Sequence, residues 1–160
     1  YSLADPFLRF YFSFIFPNNS LIKGHSYDTL FVSHGEILTR LVAKSYEDAS
    51  AEFIQEAIKQ GILPHFEQMG RWWDKNTEID LVCLNKSDNL ILFAETKWNK
   101  KPLDTDVLDD LKRKAQKVEW GGAERKEYYT IIAKGGFSDK LIEKSKKEGV
   151  VLIKEDRVVS

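Results

Sequence analysis

Two apolar stretches in the middle of the chain carry charged residues of the kinds that bind cations and phosphate. Asp80 lies within the stretch 79–84, and Glu95 and Lys97 follow the stretch 90–94. Because alternate side chains of a strand lie on one face, Glu95 and Lys97 are expected to point the same way. Carboxylate oxygens bind Mg²⁺ or Mn²⁺, and a lysine ammonium stabilises charge that develops on a phosphate. The three residues therefore suit metal-assisted hydrolysis of a phosphodiester.

A second interpretation of the same residues is structural. An acid and a lysine two residues apart are common on solvated sheet faces, where they form cross-strand ion pairs or a small ion network. Two charges in an apolar central strand are costly, however, unless they are paired or bound to a metal. The hairpin-type connection 86–88 lets Asp80 approach Glu95 from the neighbouring strand, which favours the functional interpretation.

The spacing of apolar residues after about residue 46 predicts the elements that position these side chains. A helix with Asp48 or Ser50 as its cap and Gly61 at its end comes first, and the later helices begin at 104–105 and at Ser138. The predicted strands lie at 65–73, 78–85, 89–98, 128–133 and 150–154. This order predicts an α/β fold with a mixed central β-sheet flanked by helices.

The first part of the chain has a different character. An aromatic helix is predicted from Asp5-Pro6 to Phe16, then a turn at 17–20, then a helical stretch that breaks around 33–35. We therefore expect a helical N-terminal segment at 1–45 and a second domain at 46–160. The apolar run 7–16 is too short to span a bilayer, so no membrane partner is expected. A chain that starts at Tyr1 without methionine is expected to be a fragment whose aromatic segment docks on a missing partner surface.

Composition gives little support to a global electrostatic attraction to nucleic acid. The chain has 24 Lys and Arg against 25 Asp and Glu, a formal net charge of −1. A nucleic-acid contact would need a local patch, for which the candidates are Arg71, Trp98, Lys100 and Lys101, together with Trp72-Trp73 and the basic cluster Lys112-Arg113-Lys114 with Lys117. The alternatives are tryptophans that pack a helix onto the sheet edge and lysines that are merely solvated. Cys83 is the only cysteine. It is expected to be a buried thiol, as in a cytoplasmic, reducing setting.

The pattern D-(x)14-E-x-K, with Glu52 on a preceding helix, resembles the PD-(D/E)XK nuclease superfamily. More narrowly, the chain resembles the C-terminal domain of archaeal DEXX-box (AAA+-type) ATPases. The stretches that carry this resemblance are Asp5-Pro6-Phe7-Leu8-Arg9-Phe10, Pro17-Asn18, Gly70-Arg71-Trp72-Trp73, Glu78-Ile79-Asp80, Glu95-Thr96-Lys97-Trp98 and Gly136-Phe137.

The resemblance implies a restriction-endonuclease-like fold and assigns roles to named residues. Asp80, Glu95 and the Thr96 carbonyl would be metal ligands, Lys97 the catalytic lysine, and Glu52 the helix acid that completes such sites. The proline that often precedes the first acid is replaced by Ile79. An N-terminal ATPase module and a winged-helix segment are implied in the same polypeptide, but no G-x-x-x-x-G-K-[ST] loop occurs in this chain, so no ATP site is expected within it.

These observations lead to two functional expectations. The first is a Mg²⁺- or Mn²⁺-dependent nuclease domain that acts on DNA and is attached to an ATPase. The second is a catalytically inactive module of the same fold that binds DNA or regulates its ATPase. Assembly into a homo-oligomer is compatible with either.

Overall fold

The structure is a computed structural model, and it describes residues 5–160. The chain divides into two compact units, one that ends at Asp48 and one that runs Ala49–Ser160. The first four residues of the predicted segment 1–45 lie outside the described residues. In the part of the chain that is described, no helix combines the length and the hydropathy that crossing a membrane requires.

The first unit is helical, as the sequence predicts. Asp5 caps the first helix by accepting the Leu8 N–H at 2.8 Å, and Pro6 occupies the first helical position. The predicted aromatic helix continues as a π-helical turn rather than as a uniform α-helix. The elements are α1 Pro6–Phe10, the π-helical turn Tyr11–Ile15, α2 Asn19–Lys23 and α3 Tyr27–Lys59.

Two boundaries predicted in this region are wrong. Helix α3 is continuous through 33–35 and through the predicted caps Asp48 and Ser50. A single Gly35 costs only about 1 kcal/mol in a helix, too little to end one of this length. The Asp48 carboxylate does not cap a helix but lies 3.0 Å from the Arg9 guanidinium. The predicted turn at 17–20 is also wrong in part, since α2 begins at Asn19.

The second unit contains a six-stranded mixed sheet, which confirms the predicted fold class. Its spatial order follows the chain from the first strand to the sixth. The first three strands are antiparallel, the third to fifth are parallel, and the last pair is antiparallel. The strands are β1 Gln68–Asp74, β2 Thr77–Asn85, β3 Leu90–Lys97, β4 Lys126–Ala133, β5 Val151–Lys154 and β6 Arg157–Val158.

Helices α4 (Asp106–Ala115) and α5 (Asp139–Glu148) make the two parallel crossovers and pack on the sheet. Ser138 caps α5 by accepting the Leu141 N–H, and Gly149 ends it in the left-handed conformation. The side chains that join both helices to the sheet are apolar and buried: Ile79, Val82, Ile91, Phe93, Leu108, Leu111, Ile131, Leu141 and Leu152. This core fixes α4 over β2 and β3.

Cys83 is fully buried in β2, as expected. Burial raises the pKa of its thiol to about 12, so the group stays protonated at neutral pH.

Candidate functional site

Asp80 lies in a β-bulge. Gly70 of β1 pairs with Val82, but Trp72 pairs with Ile79, so two residues of β2, Asp80 and Leu81, stand opposite Arg71 alone. The extra residue bends the strand and re-aims its side chains. The sequence does not predict this irregularity, because an apolar stretch with one acid is equally compatible with a regular strand.

The Asp80 carboxylate reaches the neighbouring strand where pairing ends. Leu81 and Ala94 form the last pair of the β2–β3 ladder, and beyond it Asp80 Oδ2 accepts the Thr96 N–H at 2.8 Å. Thr96 nitrogen is bonded to the carbonyl carbon of Glu95, so this hydrogen bond brings the Asp80 carboxylate to within about 5 Å of the Glu95 α-carbon. The two acids are therefore held next to each other by one short side-chain contact to the backbone.

Glu95 and Lys97 lie on one face of β3. Lys97 Nζ donates to Glu95 Oε1 at 2.6 Å. The Glu95 side chain is only 5% exposed, whereas that of Lys97 is 45% exposed. A carboxylate this deeply buried needs positive partners, since leaving an ion unpaired away from water is costly.

A second lysine, whose contact with Glu95 the sequence does not predict, binds the same carboxylate. Lys114, near the end of α4, lies 3.0 Å from each carboxylate oxygen of Glu95. Its side chain is 17% exposed, and its ammonium is also 3.3 Å from Asp110 Oδ2. The i,i+4 spacing of Asp110 and Lys114 predicts their pairing on a helix. The contact with Glu95 joins residues that are nineteen positions apart in the sequence, which local spacing does not reveal.

Asp110 completes the charged cluster around Glu95. Burial tends to raise the pKa of Asp110, but hydrogen bonds from Arg113 and Lys114, together with their charges, outweigh it and lower the pKa. Asp110 therefore stays ionised and shares Lys114 with Glu95.

The oxygen atoms of Asp80, Glu95 and the Thr96 carbonyl are the groups that could hold a divalent cation. They form an all-oxygen set with two carboxylates, which suits Mg²⁺ because this ion binds one or two carboxylates and retains several waters. Across residues 5–160, no group of three or more His, Cys, Asp and Glu side chains is arranged to hold a metal. Glu52 is exposed on α3 and is not brought to Asp80 and Glu95 as a third acid.

The candidate nucleic-acid residues are spread around this cluster. Arg71 is exposed on β1 opposite the bulge, and Lys100 and Lys101 are exposed in the segment that follows β3. Trp98 is half-buried, with Lys134 Nζ 4.0 Å from its ring centroid. A tryptophan beneath a lysine is held by a cation–π contact and presents less of its ring for stacking.

The adjacent tryptophans of β1 have different environments. Trp72 packs against the core, as the structural interpretation expects, but Trp73 is 74% exposed. The interpretation that both pack on the sheet edge is therefore wrong for Trp73.

Comparison with known proteins gives a relative in sequence, a solved structure that is similar in part, and a matching family. An uncharacterized protein of Methanocaldococcus jannaschii is 37% identical over 138 residues, which are 84% of this chain and 30% of that protein. The chain thus spans less than a third of the length of that relative. A repair endonuclease from Pyrococcus abyssi is similar in structure over 66% of this chain and 46% of its own, at 17% identity and a TM-score of 0.41. Residues 11–118 match the model of the family DUF234, described as archaea bacterial proteins of unknown function, and the chain belongs to that family.

Proposed function

We propose that residues 46–160 form a nuclease domain that uses Mg²⁺ or Mn²⁺ to hydrolyse phosphodiester bonds of DNA. The observation that carries the proposal is that the Asp80 carboxylate and the Glu95–Lys97 pair lie at the same end of the β2–β3 strand pair. The Asp80 carboxylate accepts the Thr96 N–H at 2.8 Å, and on either side of Thr96 the Lys97 ammonium donates to Glu95 Oε1 at 2.6 Å.

Asp80, Glu95 and the Thr96 carbonyl would hold the cation. The buried Glu95 carboxylate and the all-oxygen donor set support this assignment, because both favour a hard divalent ion. When bound, the ion supplies a polarised water and positive charge beside the phosphate. Glu52 is left out of this proposal, because it is exposed and separate from the two acids.

Lys97 is the residue that would act on the reacting groups. Its ammonium is anchored to Glu95 but remains 45% exposed, so it is accessible from solvent while its direction is fixed. An ammonium in this position can donate to the attacking water and to a phosphoryl oxygen as negative charge develops there. Arg71, Lys100 and Lys101, all exposed, are proposed to bind the phosphate backbone without reading sequence.

The test is nicking of supercoiled plasmid by the purified protein with Mg²⁺ or Mn²⁺. We expect Lys97→Ala to lower the rate by about 100-fold or more, because a positioned donor to a developing negative charge contributes on that order. Lys86→Ala is the matched control, since Lys86 is an exposed lysine in the β2–β3 hairpin and should cut at the wild-type rate. Equal cutting by wild type and Lys97→Ala would rule out this role for the lysine.

A second candidate function is a catalytically inactive module that binds DNA or regulates an ATPase module of the same polypeptide. The exposed aromatic side chains of the first unit favour it, since Phe7, Phe12 and Phe16 are 68%, 51% and 61% exposed. Exposed apolar side chains in a group indicate a docking surface. Titration with DNA at low salt separates the candidates: binding without cutting in either metal supports the inactive module.

A further inference from the structure

The Glu95 carboxylate is shared between two lysines in different ways. Lys97 donates to a single oxygen, Oε1, and its side chain is nearly half exposed. Lys114 is equidistant from both oxygens and is largely buried, so it is the partner that neutralises Glu95 on the protein side. A cation that binds the carboxylate must therefore meet the positive charge of Lys114.

We infer that Lys114 is a positioning residue that holds Glu95 in the cation-free protein and gives up the carboxylate when a divalent cation binds. This inference rests on the proposed function, because it assigns the cation to the same site. The competition arises from distance: an ammonium 3.0 Å from both carboxylate oxygens repels any divalent ion bound to either of them.

Asp110 makes such an exchange possible. It lies 3.3 Å from the Lys114 ammonium, one helical turn before it on α4, and its lowered pKa keeps it ionised at neutral pH. When a cation takes Glu95, Lys114 can move toward Asp110 without losing an anionic partner. The buried ammonium thus has two alternative carboxylates, which lowers the cost of releasing one of them.

The experiment measures Mn²⁺ affinity directly, from the electron paramagnetic resonance signal of free Mn²⁺, with no DNA present. We expect Lys114→Met to bind Mn²⁺ about tenfold more tightly than wild type. Methionine keeps a side chain of similar length but removes the positive charge that repels the ion. Lys112→Met is the control. It removes the same charge from the same helix, but Lys112 pairs with Glu148 and not with Glu95.

For a second pair of variants, the inference predicts a change in Mn²⁺ affinity in the opposite direction. Asp110→Asn takes away the alternative partner of Lys114, so Lys114 should hold Glu95 more firmly and Mn²⁺ affinity should fall about threefold or more. Asp109→Asn is the control for lost negative charge, since Asp109 pairs with Lys144 on α5. A merely structural role for Lys114 and Asp110 would weaken binding in both variants, whereas competition moves the affinities in opposite directions. Should Lys114→Met fail to fold, Lys114→Gln takes its place, because it also removes the positive charge but keeps a polar end group, and it should likewise bind Mn²⁺ more tightly than wild type.

The outcomes distinguish this inference from the proposed function. Opposite shifts in Mn²⁺ affinity without DNA cutting by the wild type support the inference and contradict the nuclease. DNA cutting with unchanged or weaker Mn²⁺ binding by Lys114→Met overturns the inference alone, as does equal tightening by Lys112→Met. No Mn²⁺ binding by either wild type or Lys114→Met overturns both the inference and the proposed cation site.

Discussion

The Asp80 carboxylate accepts a hydrogen bond that a backbone carbonyl of the neighbouring strand would otherwise accept. The Thr96 residue is nearly fully buried, and its N–H donates to the Asp80 carboxylate just beyond the last β2–β3 pair. Buried N–H groups without an acceptor are costly. Asp80 therefore has a structural task at the same place as its proposed catalytic one.

This double task predicts different effects for two substitutions. Asp80→Ala should lower the free energy of unfolding by about 1–3 kcal/mol, because the Thr96 N–H loses its acceptor. Asp80→Asn should cost less, since an amide oxygen can still accept that hydrogen bond. Urea denaturation followed by circular dichroism measures both. Equal losses for the two variants would mean that the hydrogen bond contributes little to stability.

The residues of the candidate site were predictable to different degrees. Alternation along β3 was enough to place Glu95 and Lys97 on one face, and the short hairpin was enough to bring Asp80 near them. Lys114 and the bulge were not predictable, because both depend on how distant segments pack. Spacing along one strand or helix describes neighbours within that element, and it carries no information on which helix covers it.

Helix α3 illustrates how far a local signal can mislead at the scale of an element. The Ser33-His34-Gly35 sequence predicts a break, yet the helix runs through it. The Ser33 hydroxyl donates to the Thr29 carbonyl, and the Thr39 hydroxyl donates to the Gly35 carbonyl at 3.1 Å. Polar side chains that would favour a turn are satisfied inside the helix.

The continuous helix predicts that Gly35→Ala is stabilising, by about 0.5–1 kcal/mol, because alanine loses less backbone entropy on folding. A Cβ at Gly35 meets no atom within 4 Å. Gly149→Ala is the matched control: its Cβ would also meet open space, but φ is +68° there, and left-handed backbone disfavours alanine by about 1 kcal/mol. Thermal unfolding monitored at 222 nm should move in opposite directions; a loss of stability in Gly35→Ala would argue for a break in α3.

The other helices and strands were predicted well wherever the apolar pattern was long. The four strands β2 to β5 and helices α4 and α5 occur close to their expected positions, and the cap at Ser138 is as predicted. Strand β6 was missed because two residues carry no periodicity. Strand β1 begins three residues later than expected, at Gln68. The position of a strand can be predicted from its own residues. Its pairing partners cannot, because they depend on how the whole sheet assembles.

Across the whole molecule, several acidic groups are ionised more readily than usual. The Thr105 N–H and then the Ser138 hydroxyl donate to Asp104 and lower its pKa below 3.8. The Ser87 hydroxyl, followed by the Lys86 N–H, lowers the pKa of Glu67 below 4.5. A carboxyl with a lowered folded-state pKa stabilises the fold at higher pH and loses that contribution as pH falls through the folded pKa.

These shifts predict the pH dependence of stability. The free energy of unfolding should change little between about pH 5 and 8 and should fall below about pH 4, as Asp104, Asp110 and Glu67 take up protons. Above about pH 9 it should fall again, because the buried Cys83 thiol stays protonated in the folded protein but ionises in the unfolded chain. At the alkaline end, the hydrogen bond to Asp109 raises the pKa of Lys144 above 10.5, so its contribution is present below 10.5 and is lost above the raised value. Urea midpoints measured from pH 2 to 11 test this, and Asp104→Asn should show a shallower acid limb than wild type.

The basic residues of helix α4 are paired with acidic residues of the same protein. On α4, Lys112 pairs with Glu148, Arg113 with Asp110, and Lys114 with Glu95, so the basic cluster there is neutralised within the protein. Phosphate contact by that cluster therefore competes with internal ion pairs. Lys100 and Lys101, which are exposed, are better placed to contribute to a salt-dependent interaction with nucleic acid.

The spatial order of the strands, which repeats their order along the chain, has a consequence for how the protein is made. Every strand after β1 adds beside the strand synthesised just before it, so none has to be threaded between two that are already in place. The antiparallel pairings β1–β2, β2–β3 and β5–β6 close short loops and form early, whereas the two parallel pairings wait for the crossover helices. The sheet can therefore grow from one edge as the polypeptide leaves the ribosome, with β6 added last.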